Sequence, residues 1–377
     1  MPRAVVPRLD AAALVRVTGL YLLSRLLVLA VAALSHAAVL QGLFSHRARS
    51  WVERFGVWDA NWYLSIADRG YAYDPTGQSS AGFYPLYPLL IRAGTRLGCD
   101  DRLTGYAISL AALYAGCLGL WRLTARETRS AAVAERAVLF LLFCPGAMWF
   151  GMIYTESLFL VTTVGCLLAA RRGRWLAAGL WGMAAALTRT PGLLLAGFLF
   201  LEAAQQWWEL PGARSRRWLK RAALAVAGPV VGQASYLVFL QIRFGDWRAQ
   251  QKTMAAGWGG TPRRPWEALV DQWHTLDRVY TAVSMPLLGI VVALALIGLF
   301  TLKRVSYAAL ALALAALYVA ATPGDAMTRY LCTTVPAYLV LAQLAERSRL
   351  LETTVLAFSV ATMTILTALC ANGYKII

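Results

Sequence analysis

Residues Trp51 to Tyr71, WVERFGVWDANWYLSIADRGY, follow the first long apolar run and set three tryptophans around one carboxylate, Asp59. At helical spacing Trp51, Phe55, Trp58, Asp59, Trp62, Tyr63 and Ile66 fall on one stripe, the pattern of an amphipathic helix lying in a membrane interface. Asp59 then stands on the apolar face, where an acid costs free energy unless it is paired or used. A plainer reading makes Asp59 the N-cap of a helix that begins at Ala60.

The rest of the chain supports a membrane setting. Of 377 residues, 59% are hydrophobic and 15% charged, with mean hydropathy +0.55, outside the range of soluble domains. Apolar segments near 14–40, 104–121, 137–152, 155–170, 175–188, 191–208, 221–243, 281–302, 305–322, 331–346 and 350–372 predict an all-α polytopic protein of about eleven transmembrane helices. The first run is too long for the h-region of a signal peptide and is expected to be a retained span. A single transmembrane domain over 1–377 is expected, with a first outer loop at 41–103 and a second at 244–280.

Charge sets the expected topology. Basic clusters at Arg3 and Arg8, Arg122 to Arg136, Arg171 to Arg174, Arg214 to Arg221, Lys303 and Arg304, and Arg347 and Arg349 lie in short connections or at the N-terminus. The positive-inside rule places them in the cytoplasm, with the N-terminus inside and the C-terminus outside. The net charge of +17 then reflects loops facing anionic lipid, not nucleic acid. Every unusual polar tip falls on the other side: the Asp59 loop, Tyr154 to Ser157, Thr188 to Gly192, and Gly324 to Tyr330. The Trp-rich loop 244–280 faces the same way, as an interfacial anchor or an acceptor-binding surface.

A site on that side, without a nucleotide-binding motif, points to a transferase that takes its activated group from a lipid carrier. Such a reaction needs a base for the acceptor hydroxyl, cations for the departing phosphate and a groove for the lipid. Asp59 is the candidate base. Arg189, at a hairpin tip beside Pro191, and Arg329, just before a span, are the phosphate candidates. Glu156 is expected either to orient a hydroxyl or an arginine, or simply to favour a helix N-terminus. Trp58, Trp62, Tyr63, Tyr154 and Tyr330 are candidates for substrate contact. Asp68 beside Arg69 is expected to form a surface ion pair. Phe83-Tyr84-Pro85-Leu86-Tyr87-Pro88 is expected to be a rigid, non-helical turn that returns aromatics over the interfacial helix. His36, His46 and His274 have no metal-ligand spacing, and the six cysteines form neither a disulfide framework nor a zinc pattern.

These motifs resemble a known family. Trp58-Asp59-Ala60-Asn61-Trp62-Tyr63 with Ile66-Ala67 and Gly70-Tyr71 is similar to the WD-x-x-WY…IA-x-x-GY signature of the PIG-V-like mannosyltransferases, which include GPI mannosyltransferase II and bacterial relatives. Tyr154-Thr155-Glu156-Ser157-Leu158-Phe159 matches their YTESLF element, and Thr188-Arg189 with Gly192 their TR-x-x-G. Phe83 to Pro88 resembles their FFPLYP, with Tyr84 in place of the second Phe, and Arg329-Tyr330 a late RY pair. Ala60 stands where Gly is commoner. The resemblance implies a GT-C glycosyltransferase that moves mannose from polyprenyl-phosphate mannose, with inversion, at the outer leaflet, without nucleotide, metal or other cofactor. On that pattern Asp59 would be the general base, and Arg189 or Arg329 would steady the phosphate. The Ala-, Leu- and Arg-rich composition points to a bacterial plasma membrane, with a glycolipid, cell-wall glycan or protein as acceptor rather than a GPI anchor. The alternatives are a GT-C enzyme for another lipid-linked sugar, such as arabinose or glucose, and a lipid or sugar transporter. The chain shows none of the repeat symmetry usual in transporters.

Overall fold

The computed structural model describes residues 6–38, 55–209, 215–260, 263–275, 278–321 and 326–374. Among these, every regular element is helical. Each of the eleven apolar segments contains helix, but among the described residues five helices are long and apolar enough to cross a membrane: Ala11–Ser35, Asp101–Thr128, Arg216–Phe244, Thr281–Thr301 and Arg349–Ala371. Others are short for a reason visible in the chain. The run 137–152 breaks where Pro145 and Gly146 follow helix Ala131–Leu142, since proline removes a donor and clashes with the preceding turn. Two polar-tipped pieces follow, helix Glu156–Arg171 and helix Trp175–Ala186.

Close packing of this middle section rests on glycine. A Cβ on Gly228 of helix Arg216–Phe244 would run into the Gly179 carbonyl of helix Trp175–Ala186, so the two helices meet backbone on backbone. Within a bilayer, contact of this kind takes over from hydrophobic burial as the source of helix association. Gly192 plays the same part in the next turn, where a Cβ would strike the backbone of Ala185 and Ala186.

The polar connections sort by end. At one end Arg171 pairs with both Glu127 and Glu202 (each 2.7 Å), and Arg304 pairs with Glu209 at 2.7 Å, joining helix ends that lie far apart in sequence. Asp59, Glu156, Arg189 and Arg329 gather at the other end.

The interfacial helix is shorter than its stripe implied. It spans Asp59–Arg69 and buries Ala60, Tyr63, Leu64, Ile66 and Ala67. Phe55 lies ahead of it in a turn, and Trp51, like His46 and Gly324-Asp325, falls outside the described residues. Its start is fixed by Trp58, which adopts φ 55° and ψ −115°, a conformation sparsely allowed to any residue with a Cβ. At its other end Arg92 donates to the carbonyls of Ala67 (2.6 Å), Asp68 (3.1 Å) and Ile66 (3.3 Å), capping the helix with the charge that its C-terminus favours.

The expected non-helical turn at Phe83 to Pro88 is only partly right. Phe83 returns over the interfacial helix, stacking on Trp62 at 5.7 Å, but Leu86 and Pro88 already belong to helix Leu86–Arg96. Proline is tolerated there because first-turn amides have no intrahelical acceptor. The loop 244–280 likewise carries two helices, Ala249–Trp258 and Pro265–Thr275.

Candidate active site

Three consecutive carbonyls hold the approach to Asp59. Phe55 O accepts from the Ile153 amide (3.3 Å), Gly56 O from Arg102 Nη1 (3.1 Å) and Val57 O from the Tyr154 hydroxyl (3.2 Å). The motif around Tyr154 is therefore the bed on which the Asp59 motif lies. Such over-determination keeps a strained residue such as Trp58 in place.

Asp59 is the first residue of its helix, and its side chain makes no capping bond. The N-cap reading thus gives way to another arrangement. Arg329 Nη1 donates to Asp59 Oδ2 at 2.9 Å, while Oδ1 has no hydrogen bond among the described residues. Arg329 also donates from Nη2 to the Tyr330 hydroxyl at 2.7 Å, and its Nε lies 3.2 Å from Glu156 Oε1, an ion-pair contact not aligned as a hydrogen bond. Arg189 Nη1 donates to the same Glu156 oxygen at 2.7 Å. The other oxygen, Glu156 Oε2, is buried with no partner.

Two acids and two guanidiniums thus form one formally neutral cluster. It is enclosed: the side chains of Glu156, Arg329, Arg189 and Asp59 are 1%, 3%, 10% and 18% exposed. Tyr330 lies beneath the Arg189 guanidinium at 4.0 Å and Tyr154 beside that of Arg329 at 5.0 Å, so ring faces supplement the ion pairs. Burying four charges is tolerable only with this degree of mutual pairing.

The structure brings together Asp59, Tyr154, Glu156, Arg189, Arg329 and Tyr330. Tyr154 and Tyr63 are buried and hold structure, the Tyr63 hydroxyl lying 3.4 Å from Thr155 Oγ1. Trp62 stands apart from the cluster in an aromatic group with Phe83 and Trp258, at 5.7 and 5.8 Å. Trp58 is half-buried against the core. Asp68 and Arg69 form the expected exposed ion pair at 3.9 Å. Among the described residues no three His, Cys, Asp or Glu side chains are placed to share a metal ion.

One charged residue escaped the sequence reading. Arg25 lies in the middle of helix Ala11–Ala38, 8% exposed, and donates from Nη2 to Ser24 Oγ at 2.8 Å. Its Nε and Nη1 are buried without a partner among the described residues, and a Cβ on Gly151 would come within 3.0 Å of Nη1. The signal was available: an arginine inside an apolar run marks either a site or a cost.

The geometry and the fold now define a class. The chain superposes on the crystal structure of ArnT from Cupriavidus metallidurans bound to undecaprenyl phosphate with a TM-score of 0.51, covering 95% of this chain and 76% of that one at 14% identity. It is thus a polytopic helical membrane protein of GT-C fold. Residues 12–241 match the family model described as mannosyltransferase (PIG-V), and the chain belongs to that family. It is 32% identical over 162 residues to GPI alpha-1,6-mannosyltransferase 2 of Rattus norvegicus, covering 38% of this chain and 30% of the relative. Against GPI mannosyltransferase 2 of Drosophila melanogaster it is 27% identical over 214 residues, covering 48% and 46%. The chain thus spans less than half the length of these curated relatives. The family match contains Asp59, Glu156 and Arg189 but ends before Arg329.

Proposed function

We propose that the protein is a membrane mannosyltransferase that moves mannose from polyprenyl-phosphate mannose to a hydroxyl of a glycolipid, glycan or protein acceptor. The observation that carries this reading is Asp59 itself: one oxygen is fixed by Arg329 and the other has no hydrogen bond among the described residues, beside a second carboxylate, Glu156, whose Oε2 likewise has no partner among them.

In this scheme Asp59 Oδ1 takes the proton of the acceptor hydroxyl as that oxygen attacks the anomeric carbon of mannose. The bond from that carbon to the phosphate oxygen breaks, and polyprenyl phosphate leaves with the bonding pair. Attack from the face opposite the phosphate inverts the anomeric centre. Glu156 Oε2 accepts a hydrogen bond from a sugar or acceptor hydroxyl. The two guanidiniums divide the remaining work. Arg329 directs all three of its nitrogens to Asp59, Tyr330 and Glu156, which makes it the group that aims the base. Arg189 commits only Nη1, and its remaining N–H groups are the ones available to the phosphate.

We place the site on the non-cytoplasmic face of a bacterial plasma membrane, with the N-terminus in the cytoplasm. Two experiments test the proposal. The full chain, reconstituted in liposomes, is given radiolabelled polyprenyl-phosphate mannose, glucose and arabinose in parallel; transfer of mannose, abolished in Asp59→Asn, is expected, and preference for another sugar overturns the donor assignment. In intact cells, a membrane-impermeant maleimide is expected to label Cys99, the exposed cysteine on the Asp59 side. Labelling only after lysis overturns the orientation.

A further inference from the structure

At the end of the bundle away from Asp59, the acids Glu127, Glu202 and Glu209 are all taken up by Arg171 and Arg304. Four other arginines of that end, Arg122, Arg126, Arg172 and Arg174, have no ion pair and no side-chain hydrogen bond among the described residues. Partial burial, together with the like charges of Arg174, Arg126 and Arg122, holds the Arg172 guanidinium below its usual range. Arg126 Nε is buried with no partner. Arg122, Arg172 and Arg174 are exposed, and a basic rim of one sign raises the local concentration of anions.

A groove of approximately 270 Å³ leads to these arginines. It lies between helices Asp101–Thr128, Glu156–Arg171 and Trp175–Ala186 and includes Gly119, Val164, Gly165 and Trp181 in its lining, along with Arg172 and Arg174. From Val161 to Arg172 it follows one face of a single helix for about 16 Å. Leu176, Leu180 and Trp181 are exposed next to it, so its mouth opens on an apolar, lipid-facing surface. A soluble phosphate has no use for such walls, and a zwitterionic headgroup would bring a positive charge to a cluster that has no acid to meet it. The donor's phosphate is excluded by position: along helix Glu156–Arg171 the two ends lie about 24 Å apart.

We propose that this groove holds an acyl chain of an anionic phospholipid whose phosphate is bound by Arg172 and Arg174, with Arg122 and Arg126 adding to the attraction. The lipid braces three helices, one of which carries Glu156 at its far end. Basic pockets between transmembrane helices are suited to such headgroups.

The test uses the full chain, purified in detergent and stripped of lipid, then titrated with phosphatidylglycerol or phosphatidylcholine of matched acyl chains. Native mass spectrometry is expected to show one retained phosphatidylglycerol and no retained phosphatidylcholine, and the melting temperature is expected to rise with phosphatidylglycerol alone. The double variant Arg172→Gln/Arg174→Gln is expected to weaken binding about thirtyfold, at the contribution typical of two arginines near a lipid surface. Ala115→Leu, which fills the groove wall and leaves every charge in place, is expected to weaken it as well, whereas Arg217→Gln, a basic residue outside the groove, leaves it unchanged. Equal retention of both lipids, wild-type affinity in the double variant, or an equal rise in melting temperature with inorganic phosphate alone overturns the proposal. Displacement of phosphatidylglycerol by polyprenyl phosphate at equal concentration overturns it too.

Discussion

Arg329 and Asp59 lie 270 residues apart in the chain and 2.9 Å apart in space, guanidinium Nη1 to carboxylate Oδ2. This contact ties the late Arg-Tyr pair to the first polar motif and, among the described residues, leaves Asp59 with one oxygen held and one without a partner. Removing either partner is expected to give a different phenotype.

Asp59→Asn keeps an acceptor for Arg329 but removes the base. Turnover of mannose transfer is expected to fall by about 10²- to 10⁴-fold, the usual contribution of a positioned proton acceptor. Arg329→Gln instead leaves two buried acids short of a partner and is expected to cost about 3–5 kcal/mol of stability. Steady-state kinetics and thermal melting of the two variants separate chemistry from charge balance. Wild-type turnover in Asp59→Asn removes that residue from the reaction.

Glu156 accepts from Arg189 and faces Arg329, so Glu156→Gln leaves the cluster with an excess positive charge. The double variant Glu156→Gln/Arg189→Gln restores neutrality and is expected to be more stable than the sum of the single changes by about 0.5–3 kcal/mol. Strict additivity in a double-mutant cycle would mean that the pair is not coupled in the folded protein.

Gly192 has no room for a side chain against the backbone of Ala185 and Ala186. Gly192→Ala is expected to cost about 1–3 kcal/mol by overpacking and to displace Arg189 three residues earlier. A lower melting temperature together with a raised KM for the lipid donor is the expected pair of readings. An unchanged KM would detach Arg189 from the phosphate.

Arg25 carries a buried positive charge, and two of its nitrogens, Nε and Nη1, have no partner among the described residues. Arg25→Met, of similar length and without charge, is expected to raise the melting temperature, because an uncompensated buried ion is a net cost. Transferase activity is expected to fall, as it does where a destabilised polar group is kept for function. A lower melting temperature would show that Arg25 is paired when the protein is in its membrane.

Tyr73 donates to Asp246 at 2.8 Å, and Lys252 donates to the same carboxylate oxygen at 2.7 Å. The lysine and the phenol hold the Asp246 carboxyl below its usual range, while burial and this bond push Tyr73 up to about 12. A depressed carboxyl stabilises the fold above its unfolded value of about 3.9, and that stability is lost as pH falls through the lower folded value. A raised phenol stabilises below its unfolded value of about 10, and that share is lost as pH climbs towards 12. Limited proteolysis around Tyr73 is expected to be slowest between these limits. A flat profile would mean that the anchor does not hold the loop.

Much of this architecture was legible in the chain. Apolar length located the long helices but not the short ones at Leu86–Arg96, Ala249–Trp258 and Pro265–Thr275, and charge alternation put Glu156, Arg189 and Arg329 at the same end as Asp59. Their pairing was not legible, because nothing local connects Asp59 to Arg329. The start of the interfacial helix was misplaced because the stripe through Trp51 and Phe55 keeps helical spacing, while Trp58 turns the backbone away by its positive φ. The proline rule for Phe83 to Pro88 failed at a helix start, where a missing amide costs nothing. Aromatics near an acid make Tyr154 a candidate for substrate contact; its burial and its bond to Val57 appear only once the two motifs are docked.

The backbone contact between Gly228 and Gly179 also determines which parts of the molecule can move. Where the backbones touch, these two helices have no room to shift towards each other, and the turn bearing Arg189 is held against helix Trp175–Ala186 through Gly192. Trp62, Phe83 and Trp258 meet instead by ring faces and edges, which slide and tilt at little cost. Arg189 therefore belongs to the anvil and the three rings to the jaw, so that accommodation of a substrate is expected on the aromatic side.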